Sequence, residues 1–223
     1  MNEILLIDKP AGITSFDVIR QLRQRIAIKK IGHAGTLDPL ATGLMILGVG
    51  PGTKRLTEFI KLNKEYIAEV LIGESRSTGD MEGEVVESVQ EVSLTSQAIS
   101  EAVASLVGTL TLPVSAYSAI KKDGIPMYKR ARQAEKSGEV VTDVPMREMV
   151  IYEAELLNTK NIIIDDNKRM TARIRFFVGS GTYIRSLGEE LGRRLGYPAT
   201  LFNLRRTKVG EFDIKDAKKI EDF

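Results

Sequence analysis

The 223-residue chain has no cysteine and no tryptophan, and His33 is its single histidine. The missing thiols exclude disulfide bonds and thiolate nucleophiles, and one histidine leaves almost no combination of side chains for a zinc site. Any acid, base or nucleophilic chemistry must therefore come from carboxylates. The sequence also lacks a basic segment followed by an apolar leader, and its apolar runs are too short to span a membrane, which predicts a cytoplasmic protein.

Length and composition favour one large domain, or one domain with an insertion, because 43% of the 223 residues are apolar and can form one substantial core. The net charge of +2 is unevenly distributed. It is +5 over residues 1–64 and −8 over residues 65–112, and the remainder of the chain is basic. Charge alone is equally compatible with a polyanionic partner and with an ordinary mixed surface.

The segment 32–43, GHAGTLDPLATG, places Asp38 in a loop bracketed by glycines, directly before the apolar stretch 44–50. Glycines allow backbone angles that other residues avoid, and they let a substrate approach the main chain. A carboxylate at the rim of a buried strand is a candidate catalytic group. Taken by itself, however, the pattern favours a turn that begins at Asp38 and a histidine that is simply part of the core.

The order of predicted elements favours an α+β fold over a regular alternation of strands and helices. Alternating side chains predict strands over 64–72 and 170–176, and Thr14 or Ser15 is expected to cap an early helix. A short helix, Met127–Lys136, is predicted inside the charged segment 121–147, which has few core candidates and is interpreted as a protruding insertion. A further helix should follow the glycine-rich turn at 179–182 and end at Gly196.

Four further residues have both a functional and a structural interpretation. Arg185 lies in the first turn of a helix, where a cation is unfavourable unless an anion meets it, so its partner is Asp38 or else solvent or Glu189. Tyr66 is a core residue or a platform for a nucleic-acid base. The basic pair Arg205 and Arg206 suits phosphate contacts or an ordinary solvated face.

Six blocks follow one another along the chain: KPAGITS at 9–15, GHAGTLDPLATGL at 32–44, KEY at 64–66, YSAIK at 117–121, GTYIRSL at 181–187 and LRRT at 204–207. Considered together and in this order, they resemble the motifs of the TruB family of tRNA pseudouridine synthases. One departure lies at 178–180, where the chain has Val-Gly-Ser and many relatives have a Ser-Lys or Ser-Ser pair before the glycine.

The resemblance implies an α+β pseudouridine synthase fold, in which helices flank a mixed, mainly antiparallel sheet. It further implies a single catalytic domain over 1–223 with an inserted thumb, about 121–147, that grips RNA. Many bacterial members continue into a small C-terminal RNA-binding domain, for which this chain is expected to have no room. A monomer is expected, with no cofactor and no metal.

The reaction implied is the isomerisation of the T-loop uridine at position 55 of tRNA, after this nucleotide is flipped out of the RNA. By the same resemblance Asp38 acts on the sugar, Tyr66 stacks on the flipped base, and Arg185 orients Asp38. Whether Asp38 attacks the ribose or removes a sugar proton stays open. The other expected substrate contacts are His33 against the displaced nucleotide, Leu204 on the uracil, Tyr183 and Lys64 near the pocket, and Arg205 and Arg206 on phosphates.

Two rival functions remain. A non-catalytic tRNA-binding folding chaperone would keep the basic surface but would not need Asp38. A hydrolase that cleaves a nucleoside or glycoside would also use an aspartate, although such enzymes usually employ a second carboxylate.

Overall fold

The computed structural model describes residues 4–118, 120–137 and 143–223, without the side chains of Lys121, Arg132 and Glu135. Its strands are β1 (Ile4–Lys9), β2 (Ile31–His33), β3 (Thr42–Val49), β4 (Lys64–Ile72), β5 (Glu74–Arg76), β6 (Val85–Ser88), β7 (Gly108–Pro113), β8 (Lys121–Lys122), β9 (Ile125–Pro126), β10 (Met146–Ile164), β11 (Asn167–Val178), β12 (Ala199–Val209) and β13 (Phe212–Asp213). Its α-helices are α1 (Ser15–Arg25), α2 (Leu56–Ile60), α3 (Ser96–Ala104), α4 (Met127–Lys136) and α5 (Ile184–Leu195). None of these described helices has both the length and the apolar character needed to cross a membrane.

A mixed sheet forms the centre of the described chain, with strand order β1-β3-β12-β4-β11-β10-β7. Strand β2 pairs with β3 and β13 pairs with β12. Neighbouring strands are antiparallel except β3 and β12, which run parallel where Arg206 faces Gly43. Gly43 has a φ of 105°, and a Cβ there would lie 2.3 Å from the Arg206 carbonyl oxygen, so this strand contact requires glycine. The predicted α+β class with a mainly antiparallel sheet is confirmed.

The core lies between this sheet and its helices. In the central strand β4, Tyr66, Ala68 and Val70 alternate with partly exposed residues and join the main apolar cluster. Helix α5 contributes Leu187 and Leu191 to the same cluster, and its C-terminal glycine, Gly196, adopts a φ of 74°. The sheet therefore fixes the positions of β4, β12 and the start of α5 relative to one another.

The local predictions for α1, β4 and α4 are confirmed. The Thr14 hydroxyl accepts a hydrogen bond from the Asp17 amide, and the Asp17 carboxylate accepts one from the Thr14 amide, which forms a reciprocal cap for α1. Strand β4 and helix α4 have the predicted bounds. Helix α5 begins at Ile184, just after the glycine-rich turn.

The predicted insertion leaves the sheet between β7 and β10. These two strands pair from Gly108 opposite Ile151 to Pro113 opposite Met146, so the chain between them departs from one end of the pair and returns to it. The described part of this connection contains the β8–β9 hairpin and α4. Residues 138–142 lie outside the described residues, and they include Gly138, the residue that the sequence suggests as the end of α4. An RNA-gripping role for 121–147 stays a prediction.

Candidate active site

A cavity of about 290 Å³ opens between the loop before β3, the strands β4 and β12, and the start of α5. We call it the central cavity. Its walls include Gly35, Thr36, Leu37, Asp38, Ile60, Lys64, Tyr66, Ser118, Gly179, Ser180, Gly181, Thr182, Tyr183, Ile184, Arg185, Leu204 and Arg206. The fold thus gathers most of the predicted site residues around one space. His33 and Arg205 are not among its walls.

Asp38 and Arg185, which are far apart in sequence, meet at this cavity. The Arg185 Nη2 atom lies 3.2 Å from the Asp38 Oδ2 atom. The guanidinium is almost completely buried, with 6% of the side chain exposed, whereas 40% of the Asp38 side chain is exposed. A buried, fixed cation therefore holds one oxygen of a carboxylate that remains accessible from the cavity. Of the partners considered for Arg185 in the sequence, namely Asp38, solvent and Glu189, the structure shows a contact with Asp38.

Arg185 also contacts a second carboxylate, that of Asp80, which the sequence analysis did not single out. Its Nη1 atom lies 3.5 Å from Asp80 Oδ2, and the Asp80 side chain is 3% exposed. The same Nη1 donates to the Thr78 carbonyl oxygen at 2.9 Å and to the Ser115 hydroxyl at 3.3 Å. Asp80 in turn accepts hydrogen bonds from the Thr78 hydroxyl and the Glu82 amide. These contacts hold the Arg185 guanidinium in place independently of its contact with Asp38.

The loop that carries Asp38 is held by the segment 9–15. The Ser15 hydroxyl bonds both the amide and the carbonyl oxygen of Leu37, at 2.8 and 3.0 Å. The buried Lys9 ammonium donates to the carbonyl oxygens of Pro10, Pro39 and Ala41, at 2.9, 3.2 and 2.6 Å. These bonds secure the backbone on both sides of Asp38. The motif at 9–15 therefore has a physical role, which is to hold the Asp38 loop in place. The sequence alone did not predict this role.

The buried Lys9 ammonium should leave a signature in the pH dependence of stability. Burial lowers the pKa of Lys9 to about 8, although the Asp38 charge opposes the shift. Between pH 8 and the ordinary lysine pKa, the unfolded chain binds a proton here that the native protein does not, so this group makes stability rise with pH. We expect Lys9→Met to remove this part of the rise in melting temperature. Thermal unfolding across pH 7–10.5 measures it, with the exposed Lys168→Met as the matched control; identical slopes for Lys9→Met and wild type would contradict it.

Aromatic and apolar side chains form much of the remaining wall. Tyr66 from β4 is 8% exposed and Leu204 from β12 is 6% exposed, and both line the central cavity. Tyr183 precedes α5 and is half-buried, and this burial raises the pKa of its phenol. These groups give the cavity flat apolar surfaces beside the Asp38 carboxylate. A planar, uncharged ring fits such a space.

Lys64 lies in the wall of the central cavity and makes its hydrogen bonds within the protein. Its ammonium donates to the carbonyl oxygens of Ile60 and Leu62, at 2.6 and 2.5 Å, and to the Ser180 hydroxyl at 3.2 Å. Ser180 donates to the Ile60 carbonyl at 2.6 Å. Burial lowers the pKa of Lys64 to about 8. Lys64 and Ser180, the latter at the position where this chain departs from the motif, thus tie α2 to the turn before α5.

The structure places Arg205 and Arg206 on opposite sides of β12. Arg206 is 1% exposed, and its Nε, Nη1 and Nη2 atoms donate to the carbonyl oxygens of Leu44, Thr36 and Gly35. This corrects the expected phosphate contact of Arg206, because the buried guanidinium instead shapes the Asp38 loop. Arg205 is partly exposed and binds both carboxylate oxygens of Asp8, at 3.1 and 2.6 Å. Its phosphate contact stays a prediction.

His33 lies at the end of β2, next to the loop but outside the walls of the central cavity. Burial, followed by the nearby Arg206 charge, lowers the pKa of the imidazole. Its buried Nδ1 atom has no hydrogen-bond partner among the described residues. The ring is therefore neutral at ordinary pH. A contact with a displaced nucleotide stays a prediction for this residue.

Across residues 4–118, 120–137 and 143–223, no group of three or more histidine and carboxylate side chains is placed to hold a metal ion. A further acid near Asp38 and Asp80 is Glu82, and burial together with those two negative charges raises the pKa of its carboxyl. The chemistry available at the central cavity is thus one accessible carboxylate, a fixed guanidinium and apolar ring surfaces.

Comparison with known proteins agrees with this arrangement. Residues 23–184 match the family model described as TruB family pseudouridylate synthase (N terminal domain). The chain is 40% identical over 220 residues to tRNA pseudouridine synthase B of Leifsonia xyli, covering 97% of this chain and 70% of that protein. It is 42% identical over 215 residues to the protein of the same name from Desulfotalea psychrophila, covering 96% and 84%.

Among solved structures, a Cbf5-Nop10-Gar1 complex contains a chain that matches with a TM-score of 0.70 at 23% identity. An H/ACA RNP bound to a substrate RNA containing 2′-deoxyuridine matches with a TM-score of 0.68 at 22% identity. Both matches cover 98% of this chain and about half of the other chain, 52% and 51% respectively. At this identity they support the fold alone. The family model and the sequence relatives together show that the chain belongs to the TruB family of pseudouridylate synthases.

Proposed function

We propose that this protein is an isomerase that converts uridine in tRNA to pseudouridine, and that its target is the T-loop uridine at position 55. The observation that carries the proposal is the pairing of Asp38 with the buried Arg185 at the mouth of a cavity lined by Tyr66 and Leu204. The family membership supports the reaction class. Arg185 and Asp80 form one network that holds the Asp38 carboxylate, and Lys9 and Ser15 hold the backbone of its loop. A folding chaperone without catalysis would not need a carboxylate held in this way.

The reaction rearranges one nucleotide without adding or removing atoms. The bond between N1 of uracil and C1′ of ribose breaks, the base turns, and a bond forms between C5 and C1′. The proton on C5 leaves, and N1 gains one. Asp38 is the group that acts on the sugar, either by attack or by proton removal, and Arg185 directs its carboxylate. No cofactor is required by this balance.

The base must leave its stack to reach Asp38, because the carboxylate lines a cavity of about 290 Å³, which is too small for a duplex. Tyr66 stacks on the extruded uracil and Leu204 packs against it, while Tyr183 and Lys64 complete the walls. Stacking on one aromatic ring is worth about 1–3 kcal/mol. His33 contacts the nucleotide displaced within the loop, with its neutral imidazole as a flat surface.

The tRNA is gripped by the charged segment 121–147, which lies in the chain between β7 and β10 and begins just after Ser118 in the cavity wall. We propose that residues 1–223 act as one catalytic domain and as a monomer in the cytoplasm, where they modify tRNA. Arg205, partly exposed on β12, is the remaining arginine of the 205–206 pair that is proposed to meet a phosphate.

The proposal is tested with tRNA transcripts that carry tritium at C5 of uridine. We expect the purified protein to release one tritium per tRNA and to leave the strand intact, with pseudouridine mapped at position 55. A transcript with cytidine at position 55 is the matched control and should release none. Free uracil among the products would support the hydrolase alternative, and tight binding without tritium release would support the chaperone.

A further inference from the structure

Ser118 lines the central cavity and its hydroxyl has no hydrogen-bond partner among the residues the structure describes. The residue is 2% exposed. Buried hydroxyl groups in native proteins nearly always have a partner, because leaving one unpaired costs free energy. An unpaired hydroxyl in the wall of a substrate cavity therefore points to a partner that the substrate supplies.

The backbone around Ser118 is fixed on both sides. Its amide donates to the Ser115 carbonyl oxygen at 3.1 Å, and its carbonyl accepts from the Tyr128 amide at 3.0 Å. Ser115 in turn contacts Arg185. The hydroxyl is thus held near the Asp38–Arg185 pair by main-chain bonds that do not use it, and rotation about one single bond sets its direction.

We propose that the Ser118 hydroxyl hydrogen-bonds the polar edge of the uracil that enters the central cavity. This inference rests on the proposed function and adds a base-recognition residue to it. A base taken out of RNA leaves its former hydrogen-bond partners, and the site that receives it must replace them. A hydroxyl both donates and accepts, so it pairs with a carbonyl oxygen or with the N3–H group of uracil.

The inference makes two linked predictions for Ser118→Ala. Since the hydroxyl pairs with none of the described residues, its removal should leave the melting temperature unchanged or raise it. Loss of one neutral hydrogen bond to the substrate should lower kcat/KM about 3- to 10-fold. A merely structural hydroxyl would give the opposite pattern, with lower stability and unchanged kinetics.

Thr200 offers a matched control. It is completely buried, its hydroxyl is likewise unpaired among the described residues, and it does not line the central cavity. Thr200→Val should therefore also keep or raise the melting temperature, but its kcat/KM should equal that of wild type. Unchanged kinetics in Ser118→Ala, or an equal loss in Thr200→Val, would overturn the inference.

A binding experiment identifies the substrate group that Ser118 meets. In the Asp38→Asn background, which is expected not to turn over, affinity is measured for a T-arm stem-loop with uridine or with an abasic nucleotide at the target position. Ser118→Ala should weaken binding of the uridine RNA and leave binding of the abasic RNA unchanged. Equal weakening on both RNAs would overturn a contact with the base. Wild-type pseudouridine formation is measured first, so that failure of the proposed function is recognised separately.

Discussion

Asp38→Asn protein is expected to form no measurable pseudouridine while it still folds and binds tRNA. The amide has the shape of the carboxylate but neither its charge nor its ability to attack carbon or accept a proton. Removing the group that performs the chemistry should lower turnover by at least about 10⁴-fold. This is the largest effect that the geometry predicts for a single substitution.

The expectation that binding survives follows from the surroundings of Asp38. Its side chain is 40% exposed, and the loop is held through backbone bonds to Lys9 and Ser15 that the substitution leaves in place. Arg185 keeps its second carboxylate, Asp80. The guanidinium therefore stays in position and is not left as a buried, unpaired charge.

Tritium release and a gel-shift titration with the same tRNA measure the two properties separately. Asp166→Asn is the matched control, because Asp166 is exposed in the β10–β11 turn, where its φ of 61° also suits asparagine. The control should react at the wild-type rate. Wild-type turnover by Asp38→Asn would remove Asp38 from the chemistry, and loss of both binding and folding would show that it acts structurally.

Sequence reasoning identified candidate residues where the site depends on local pattern. The glycine-bracketed loop made Asp38 a candidate, although the pattern by itself favoured a turn, and the unfavourable position of a cation at a helix start indicated that Arg185 needs an anion. Neither argument predicts that Arg185 Nη2 and Asp38 Oδ2 lie 3.2 Å apart, because this distance depends on the order of the strands in the sheet. The resemblance to the TruB family predicted from the sequence that Arg185 orients Asp38.

Asp80 could not be predicted in the same way. It lies in the acidic, glycine- and serine-rich segment after β4, a composition that indicates an exposed loop. Its side chain is instead 3% exposed, because Arg185, which is distant in sequence, pairs with it and the neighbouring Thr78 hydroxyl donates to it. Burial of a charge depends on such long-range partners, which no local pattern reports.

Strands β10 and β12 were not among the sequence predictions, and both have an irregular pairing register. In β10 the register shifts near residues 151–153 and again near 156–158, so the inward side changes along the strand and simple alternation fails. In β12 the register shifts near residues 201–203 and 206–208, and within the short stretch between these shifts Arg206 is buried and its neighbour Arg205 is partly exposed. Identifying 199–209 as a strand would have separated the structural arginine from the accessible one.

The second large effect is expected for Arg185→Lys. The guanidinium uses separate nitrogens for Asp38 and for Asp80, and it also donates to the Thr78 carbonyl oxygen. A single ammonium at the end of a flexible chain cannot reproduce this arrangement. Asp38 should therefore lose its fixed orientation although the charge is conserved. We expect kcat to fall about 10²- to 10³-fold, with a much smaller change in KM, because misplacement of a reacting group mainly affects the chemical step.

Asp80→Asn provides an independent approach to the same contact. The substitution keeps the side-chain volume and an oxygen that accepts from the Thr78 hydroxyl, but it removes the negative charge that binds the Arg185 guanidinium. Its kcat should fall by about 10², and the double variant with Arg185→Lys should be little worse than Arg185→Lys alone, since both substitutions act through one network. Single-turnover kinetics on the tritiated tRNA measure the rate of the chemical step for each variant.

The control is Arg55→Lys, just before α2, where 51% of the arginine side chain is exposed and its partner Glu58 is 55% exposed. Exposed pairs of this kind contribute about 0–1 kcal/mol, so both stability and kcat should stay near wild type. If Arg185→Lys and Asp80→Asn lowered kcat by independent factors that multiply in the double variant, the two carboxylates would not be coupled through one guanidinium. If the two losses of kcat multiply while the melting temperatures stay unchanged, Asp80 has a separate role. Arg185 would then orient Asp38 without help from Asp80.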